Sequence, residues 1–328
     1  MIPSRETLQR LQSRWNFALD PLEIVLRLGE LLRAVRHDET LRDRLALKGG
    51  TALNLCYGAP RRLSVDLDFN DTGASEREQM QSDRPLIAAA LERIARRAGY
   101  QVQRSREAHA GQKFFLNYQS ALGGQRRVEV DLNFLYRVPL QPVEERTLWQ
   151  LAEGDEPVAC RVASTAELVA GKLLALLDRA APRDLYDVAH FGAGGLDTLG
   201  HQARGIFIAL SGTLSRVLPE YGFARLDRVT DPLVAQTLHP LLRLGERPTA
   251  EDLRQTSWQV VEPWLRLSPA EREYTERLQH GELRPELLFP DDAPLADRLR
   301  RHPALLWKAQ NAREHAARPG QTRRKKGN

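Results

Sequence analysis

Residues 62–69 read Arg62-Leu63-Ser64-Val65-Asp66-Leu67-Asp68-Phe69, with acidic and apolar side chains alternating from Val65 onward. Successive strand side chains point to opposite faces. The pattern therefore predicts a strand with Asp66 and Asp68 on one side and Val65, Leu67 and Phe69 on the other. Such a strand needs a core beneath its apolar face, which commits this part of the chain to a half-buried sheet. Two carboxylates this close repel one another unless a cation lies between them. Oxygen donors at this spacing suit Mg²⁺, which takes one or two carboxylates and fills its remaining positions with water and phosphate.

Upstream lies Lys48-Gly49-Gly50-Thr51. Ala46-Leu47-Lys48 reads as the end of a buried strand, and Thr51-Ala52-Leu53-Asn54-Leu55 as a helix. The two glycines allow a sharp turn and leave N–H groups at the helix start able to hold an anion. Alone, a glycine pair is an ordinary turn and Asp-x-Asp a solvated strand face. In this order, separated by one short helix and a loop, they describe a phosphate pocket beside a divalent cation.

Two further segments add charge. Arg127-Val128-Glu129-Val130-Asp131-Leu132-Asn133-Phe134 predicts a second strand with Glu129 and Asp131 on one face. If that strand lies beside the first, either Asp131 or Glu129 can complete a three-carboxylate site of the two-metal kind. In the helix expected from Thr165, with Thr165 as N-cap and Glu167 in the first turn, residues 168–177 carry a single charge, Lys172. A buried ammonium needs an anion, either a structural carboxylate or a nucleotide phosphate. Pro182 then opens a helix on which Asp184 and Asp187 share a face with Val188 and Phe191, pointing inward to orient Lys172 or bind substrate.

Periodicity predicts a helix over 21–35, a polar loop over 70–83, and a helix begun by Pro85 and ended by Gly99. Strands follow over 100–104, 113–118 and 127–135, with Gly123-Gly124 at the last turn, and 158–162 reads as an edge strand. From Thr165 the chain turns to helices punctuated by Gly192–Gly195 and by Pro219, Pro232, Pro240 and Pro248. The expected organisation is an α/β domain over 1–160, a helical domain over 161–315 that completes the site, and a basic disordered tail over 316–328. The region after residue 200 holds no readable chemical motif and is expected to shape acceptor recognition.

A hydrophobic fraction of 42% with 28% charged residues is that of an ordinary folded domain, and no apolar run approaches the ~20 residues of a membrane span. Met1-Ile2-Pro3-Ser4-Arg5-Glu6 has no apolar core of a secretory signal, so the expected location is the cytoplasm. Cys56 and Cys160 are too few for a disulfide framework or a cysteine-rich zinc site, and the eight histidines show no paired ligand spacing. Walker, nucleophile-elbow and dinucleotide-binding fingerprints are absent. A net charge of +5, partly in Arg318 and Arg323-Arg324-Lys325-Lys326, leans toward a polyanionic partner.

Lys48-Gly49-Gly50-Thr51-Ala52-Leu53, the Arg62–Phe69 segment, the Glu167 to Lys172 helix and Arg183-Asp184-Leu185-Tyr186-Asp187 occur here in one order. Over residues 40–200 that set resembles the AbiEii/AbiGii-type nucleotidyltransferase toxins, a branch of the DNA polymerase β-like superfamily. The resemblance implies an α+β fold, a minimal polymerase-β-like mixed sheet with flanking helices followed by an all-helical C-terminal domain. It implies Mg²⁺-dependent (or Mn²⁺-dependent) transfer of a nucleotide from an NTP to RNA, with tRNA acceptor ends as the target, translation as the casualty and an antitoxin as the protein partner. Carried onto this chain, Gly49, Gly50, Thr51 and Ser64 cradle phosphates, and Asp66, Asp68 and Asp131 hold metal. Lys172 contacts the triphosphate, and Asp184 completes the catalytic set with Asp66, Asp68 and Lys172. The family motif varies in the third-carboxylate strand, where Asp131 is preferred over Glu129, and Ser164-Thr165-Ala166 departs from the usual approach to the lysine helix.

Other readings of the residues are a nucleotidyltransferase acting on a protein or small molecule, an Asp-x-Asp glycosyltransferase, and a non-catalytic RNA-binding scaffold. The glycosyltransferase leaves the glycine pair and the Lys172 helix unexplained.

Overall fold

A computed structural model describes residues 3–151, 156–191 and 200–316. The expected break at Gly192–Gly195 and the basic tail from residue 317 lie outside the described residues.

The chain opens with α1 (Arg5–Trp15) and α2 (Leu19–His37), followed by β1 (Leu45–Lys48), α3 (Gly49–Leu55), β2 (Asp66–Asp71) and α4 (Arg77–Arg97). Next come β3 (Gln101–Arg104), β4 (Gly111–Gln119), β5 (Gln125–Asn133), β6 (Glu144–Thr147) and β7 (Ala159–Val162). Helices follow: α5 (Thr165–Arg179), α6 (Pro182–Phe191), α7 (Gly200–Ser211), α8 (Asp231–Thr237) and α9 (Ala250–Val261). The described chain closes with α10 (Pro269–Gln279), α11 (Ala293–Arg300) and α12 (Pro303–Ala316). The α+β expectation is met: the described strands form one mixed seven-stranded sheet in the order β3-β4-β5-β2-β1-β7-β6, and the region after it is helical.

In β2, Leu67 and Phe69 are 1% exposed, which is the apolar face the alternation predicts. β2 lies antiparallel to β1, pairing Lys48 with Asp68, and parallel to β5, pairing Asp66 with Glu129 and Asp68 with Asp131. Two apolar clusters make up the core. One joins α1, α2, α4 and the sheet; the other runs from Leu140 and Val169 through the helices to Ala309. Helix α5 sits between them, giving Leu168 to the first and Val169, Leu173 and Leu176 to the second.

Four expectations are corrected. Pro85 does not start α4, which begins eight residues earlier, so part of the expected polar loop is helical. Arg44 and Gln79 hold Asp83 at 2.5 and 2.8 Å, and Met80 is buried, so tertiary contacts carry the early turns despite the amide that proline lacks. The segment 158–162 is not an edge: β7 lies between β1 and β6, with Leu47 paired to Val162. The edge is β6, a strand absent from the sequence reading; its Glu144, Glu145 and Arg146 are the charges that protect an open edge. The N-cap of α5 is Ser164 rather than Thr165, because the Ser164 hydroxyl takes the Glu167 N–H at 3.3 Å and donates to the Glu167 carboxylate at 2.8 Å.

Candidate active site

The alternation in β2 sets Asp66 and Asp68 on one sheet face, and the parallel register puts Glu129 and Asp131 beside them. The condition attached to a third carboxylate, that the two acidic strands be neighbours, is therefore satisfied. Neither residue of the second row stands alone: Lys113 lies 3.5 Å from Asp131, and Arg127 lies 2.8 Å from Glu129. Asp68 differs. Among the described residues no cation lies within ion-pair reach of its carboxylate. Burial pushes its pKa up against the pull of Lys48, and the charges of Asp66 and Asp131 push it further.

The glycine turn fits against this carboxylate. Gly49 has φ +71, a left-handed conformation costly for any residue with a Cβ. A Cβ there would run into Asp68 Oδ2 and stand 3.2 Å from Asp68 Cγ, so two independent constraints call for glycine. At Gly50 a Cβ would come within 2.9 Å of Arg62 Nη2 and 3.0 Å of Ser64 Oγ. Ser64 in turn donates to Asp66 Oδ1 at 3.2 Å, and the Thr51 hydroxyl donates to the Asp66 carbonyl. Gly49, Gly50, Thr51, Ser64, Asp66 and Asp68 thus form one contiguous cluster, in which Gly50, Thr51 and Ser64 are buried and both hydroxyls are turned to Asp66.

Behind it lies a buried ionic network. Lys172, 6% exposed, sits 3.0 Å from Asp184 Oδ1 and 2.9 Å from Asp187 Oδ2. Of the two partners weighed for this ammonium, the structure supplies carboxylates. Arg62 grips Asp187 with two bonds of 2.7 Å, and Arg179 grips Asp184 at 2.6 and 3.0 Å. Burial opposes the charge on both acids. Arg62 and Lys172 outweigh it at Asp187, and Lys172 with Arg179 outweigh it at Asp184, so both lie below the usual carboxylate range. The network touches the front surface: Asn54 of α3 donates to Asp187 at 3.2 Å and to the Gly50 carbonyl at 3.0 Å, and Arg183 stands 3.7 Å from Asp66. The field of Lys172 also reaches Asp68.

Arg62, Asn54, Arg179 and Arg183 carry no role in the sequence reading. All four flank or sit inside its motifs, and that proximity is the available signal.

Among the described residues no three His, Cys, Asp or Glu side chains are gathered as a ready-made metal cluster. The residues that fit a divalent cation are Asp66 and Asp68. They are two oxygen donors, one of them half-buried with no cation in contact, and a hard cation completed by substrate phosphates asks for no more.

Comparison with known proteins bears on these residues. The family model described as nucleotidyl transferase AbiEii toxin, type IV TA system, matches residues 30–232, a span enclosing every residue named in this subsection. Among solved structures the chain is similar to MenT4, a nucleotidyltransferase toxin from Mycobacterium tuberculosis H37Rv. The identity is 22% and the TM-score 0.58, over 91% of this chain and 98% of that one, a likeness of fold. It also matches JHP933 from Helicobacter pylori at 16% identity and TM-score 0.44, over 76% of this chain and 94% of that one. No curated protein sequence matches.

Proposed function

Since the chain belongs to the family of AbiEii nucleotidyl transferase toxins of type IV toxin–antitoxin systems, we propose that it transfers NMP from an NTP to RNA, at a tRNA 3′ end, and so blocks translation. The observation that carries the reading is the closure of the Gly49 turn onto the half-buried Asp68 carboxylate, which no cation touches among the described residues. A glycine-lined turn against an acid lacking a cation is suited to a triphosphate that arrives with its own divalent ion.

In the proposed reaction the acceptor 3′-oxygen attacks the α-phosphorus in line. The new O–P bond forms as the bond to the β-phosphate bridging oxygen breaks, and pyrophosphate leaves. Asp66 and Asp68 would hold Mg²⁺, with Mn²⁺ as a substitute, and the ion would neutralise phosphate charge and acidify the acceptor hydroxyl. The backbone of Gly49 and Gly50 cradles the phosphates, Thr51 and Ser64 brace that turn from beneath through their bonds to Asp66, and Asp131 accepts the hydroxyl proton. Lys172 and Asp184 act from behind this surface: the ammonium fixes both α6 carboxylates and lends its field to Asp68, while Asp184 anchors Arg179 beside the carboxylate pair. Positioning and charge neutralisation supply the rate, with no covalent nucleophile.

A cognate antitoxin protein and the cytoplasm belong to the same proposal. Among the described residues no helix is long and apolar enough to cross a membrane.

The test is a panel of α-labelled NTPs with purified tRNA and, separately, total protein, with and without Mg²⁺. Asp66→Ala is expected to abolish label transfer with circular dichroism unchanged. Transfer retained by the variant at high Mg²⁺ rejects the assignment of Asp66. Label appearing on protein alone rejects RNA as the acceptor.

A further inference from the structure

Where β2 and β5 end, a cleft of about 910 Å³ opens between the start of α4 and the α11–α12 corner. It holds none of the carboxylates described above. Four guanidiniums line it: Arg77 from α4, Arg137 beyond β5, Arg298 from α11 and Arg301 at the corner. Two acids, Glu76 and Glu78, share the lining, so cations outnumber them two to one.

Several surface arginines elsewhere are neutralised by a carboxylate in contact. Arg84 pairs with Glu107, Arg93 with Asp38, and Arg300, next to Arg301, with Glu286 and Asp297. In the cleft, no carboxylate lies within ion-pair reach of any of the four among the described residues. Arg137 makes the point most sharply. It is 9% exposed, and its bonds go to neutral carbonyls, of Ser75 at 2.8 Å and of Phe134 at 3.2 Å. Burial works against its charge, and Glu76, Asp71 and Glu78 offset this only from beyond ion-pair reach; an anion entering from the cleft would bring a countercharge into contact.

The second component is aromatic. Trp307 on α12 lines the same cleft and is 53% exposed, a large apolar ring left in water. Guanidiniums for phosphates and an exposed ring for a base are the two elements by which single-stranded nucleic acid is held. The place fits as well. Thr72 on the cleft wall lies four residues beyond Asp68, roughly 13 Å at strand rise. That distance is about four nucleotides at the stacked rise of ~3.4 Å in one strand.

We infer that this cleft is the docking site for the single-stranded 3′ segment of the RNA acceptor, with Trp307 stacked on a base and the strand running from the cleft to the Asp66–Asp68 pair. The inference rests on the RNA-acceptor reading above and adds the surface that recognises the acceptor. The helical region after residue 200, through α11 and α12, supplies Arg298, Arg301 and Trp307 to this wall.

The experiment is fluorescence anisotropy of the full-length protein with a short 5′-labelled single-stranded RNA, in the absence of NTP and over a range of salt. Trp307→Ala is expected to weaken binding about tenfold or more by removing the stacking platform. Arg301→Glu is expected to weaken it and to flatten the dependence of log K on log salt by ~0.7 for each phosphate no longer neutralised. Neither change should alter the thermal midpoint, since both side chains are exposed. Wild-type affinity in both variants overturns the inference, as does the absence of RNA binding by the wild type. Binding with cleft dependence but no nucleotide transfer would sink the catalytic reading and leave the cleft standing. Transfer to RNA by Trp307→Ala and Arg301→Glu at wild-type KM would sink the cleft and leave the catalytic reading standing.

Discussion

Replacing Lys172 by methionine keeps an unbranched apolar stem and deletes only the ammonium. That group is 3.0 Å from Asp184 and 2.9 Å from Asp187, and all three side chains are at most 6% exposed. Removing one partner of a buried ion pair costs about 3–5 kcal/mol, because an uncompensated charge stays behind. Here each carboxylate retains a guanidinium, Arg62 on Asp187 and Arg179 on Asp184. The expected loss therefore sits at the low end, about 3 kcal/mol. Equilibrium urea unfolding without nucleotide reads it as a lower midpoint at an unchanged m-value. A lysine whose role was direct contact with the triphosphate would behave in the opposite way, with a retained urea midpoint and a loss confined to NTP affinity. A stability change under about 1 kcal/mol, within the range of an exposed pair, would refute the network argument.

The same network sets an acid dependence. Asp184 and Asp187 have folded pKa values below their unfolded ones, so their stabilisation is fully present above ~3.9 and is lost as pH falls through the lower folded values. The wild-type urea midpoint should drop below about pH 4 and converge on that of Lys172→Met, whose acids are less depressed; parallel curves would contradict the linkage. Gly49→Ala is expected to cost only about 1–2 kcal/mol from the left-handed conformation. It should cut transfer on the order of a hundredfold, since the new methyl displaces the Asp68 carboxylate. Activity within a factor of about three of wild type, in a folded variant, would show that Asp68 need not stay where the turn holds it.

The parts of the site visible in the sequence are those whose signal is local. The face shared by Asp66 and Asp68 follows from a period of two, and the glycine pair from its position before a helix. The lone charge of Lys172 in an apolar run announces a buried ammonium, but the choice between its two candidate anions is tertiary. Asp187 meets Arg62 across 125 positions of sequence, and nothing local to Arg62 says that this guanidinium is 1% exposed. The early turns of α4 look like loop for a related reason, since the contact that holds Asp83 comes from Arg44, 39 residues away. Edge and centre change places at β7 because a short apolar strand does not name its neighbours, whereas the charges of β6 describe an edge once it is known to be a strand. The cleft is out of reach of sequence reasoning altogether: its wall joins α4, the turn after β5 and the α11–α12 corner, none of which carries a motif.

Among the acids around α3, Asp184 and Asp187 on one side and Asp68 on the other are held in opposite electrostatic states. Asp184 and Asp187 are enclosed by Arg62, Lys172 and Arg179 and are kept ionised below the usual range. Three cations against two carboxylates leave a positive surplus, and that surplus faces the β2 pair: Arg179 feels both Asp68 and Asp66, and Lys172 reaches Asp68. Lys48 first, and this field behind it, soften the repulsion on Asp68 without placing a cation in contact with it, and its pKa remains above its ordinary value. A close ion pair at Asp68 would occupy the oxygens that a divalent cation needs. Lys48 beside the pair, Arg183 at 3.7 Å from Asp66 and the network one layer behind give an intermediate condition, in which Asp68 feels positive charge and keeps its oxygens open.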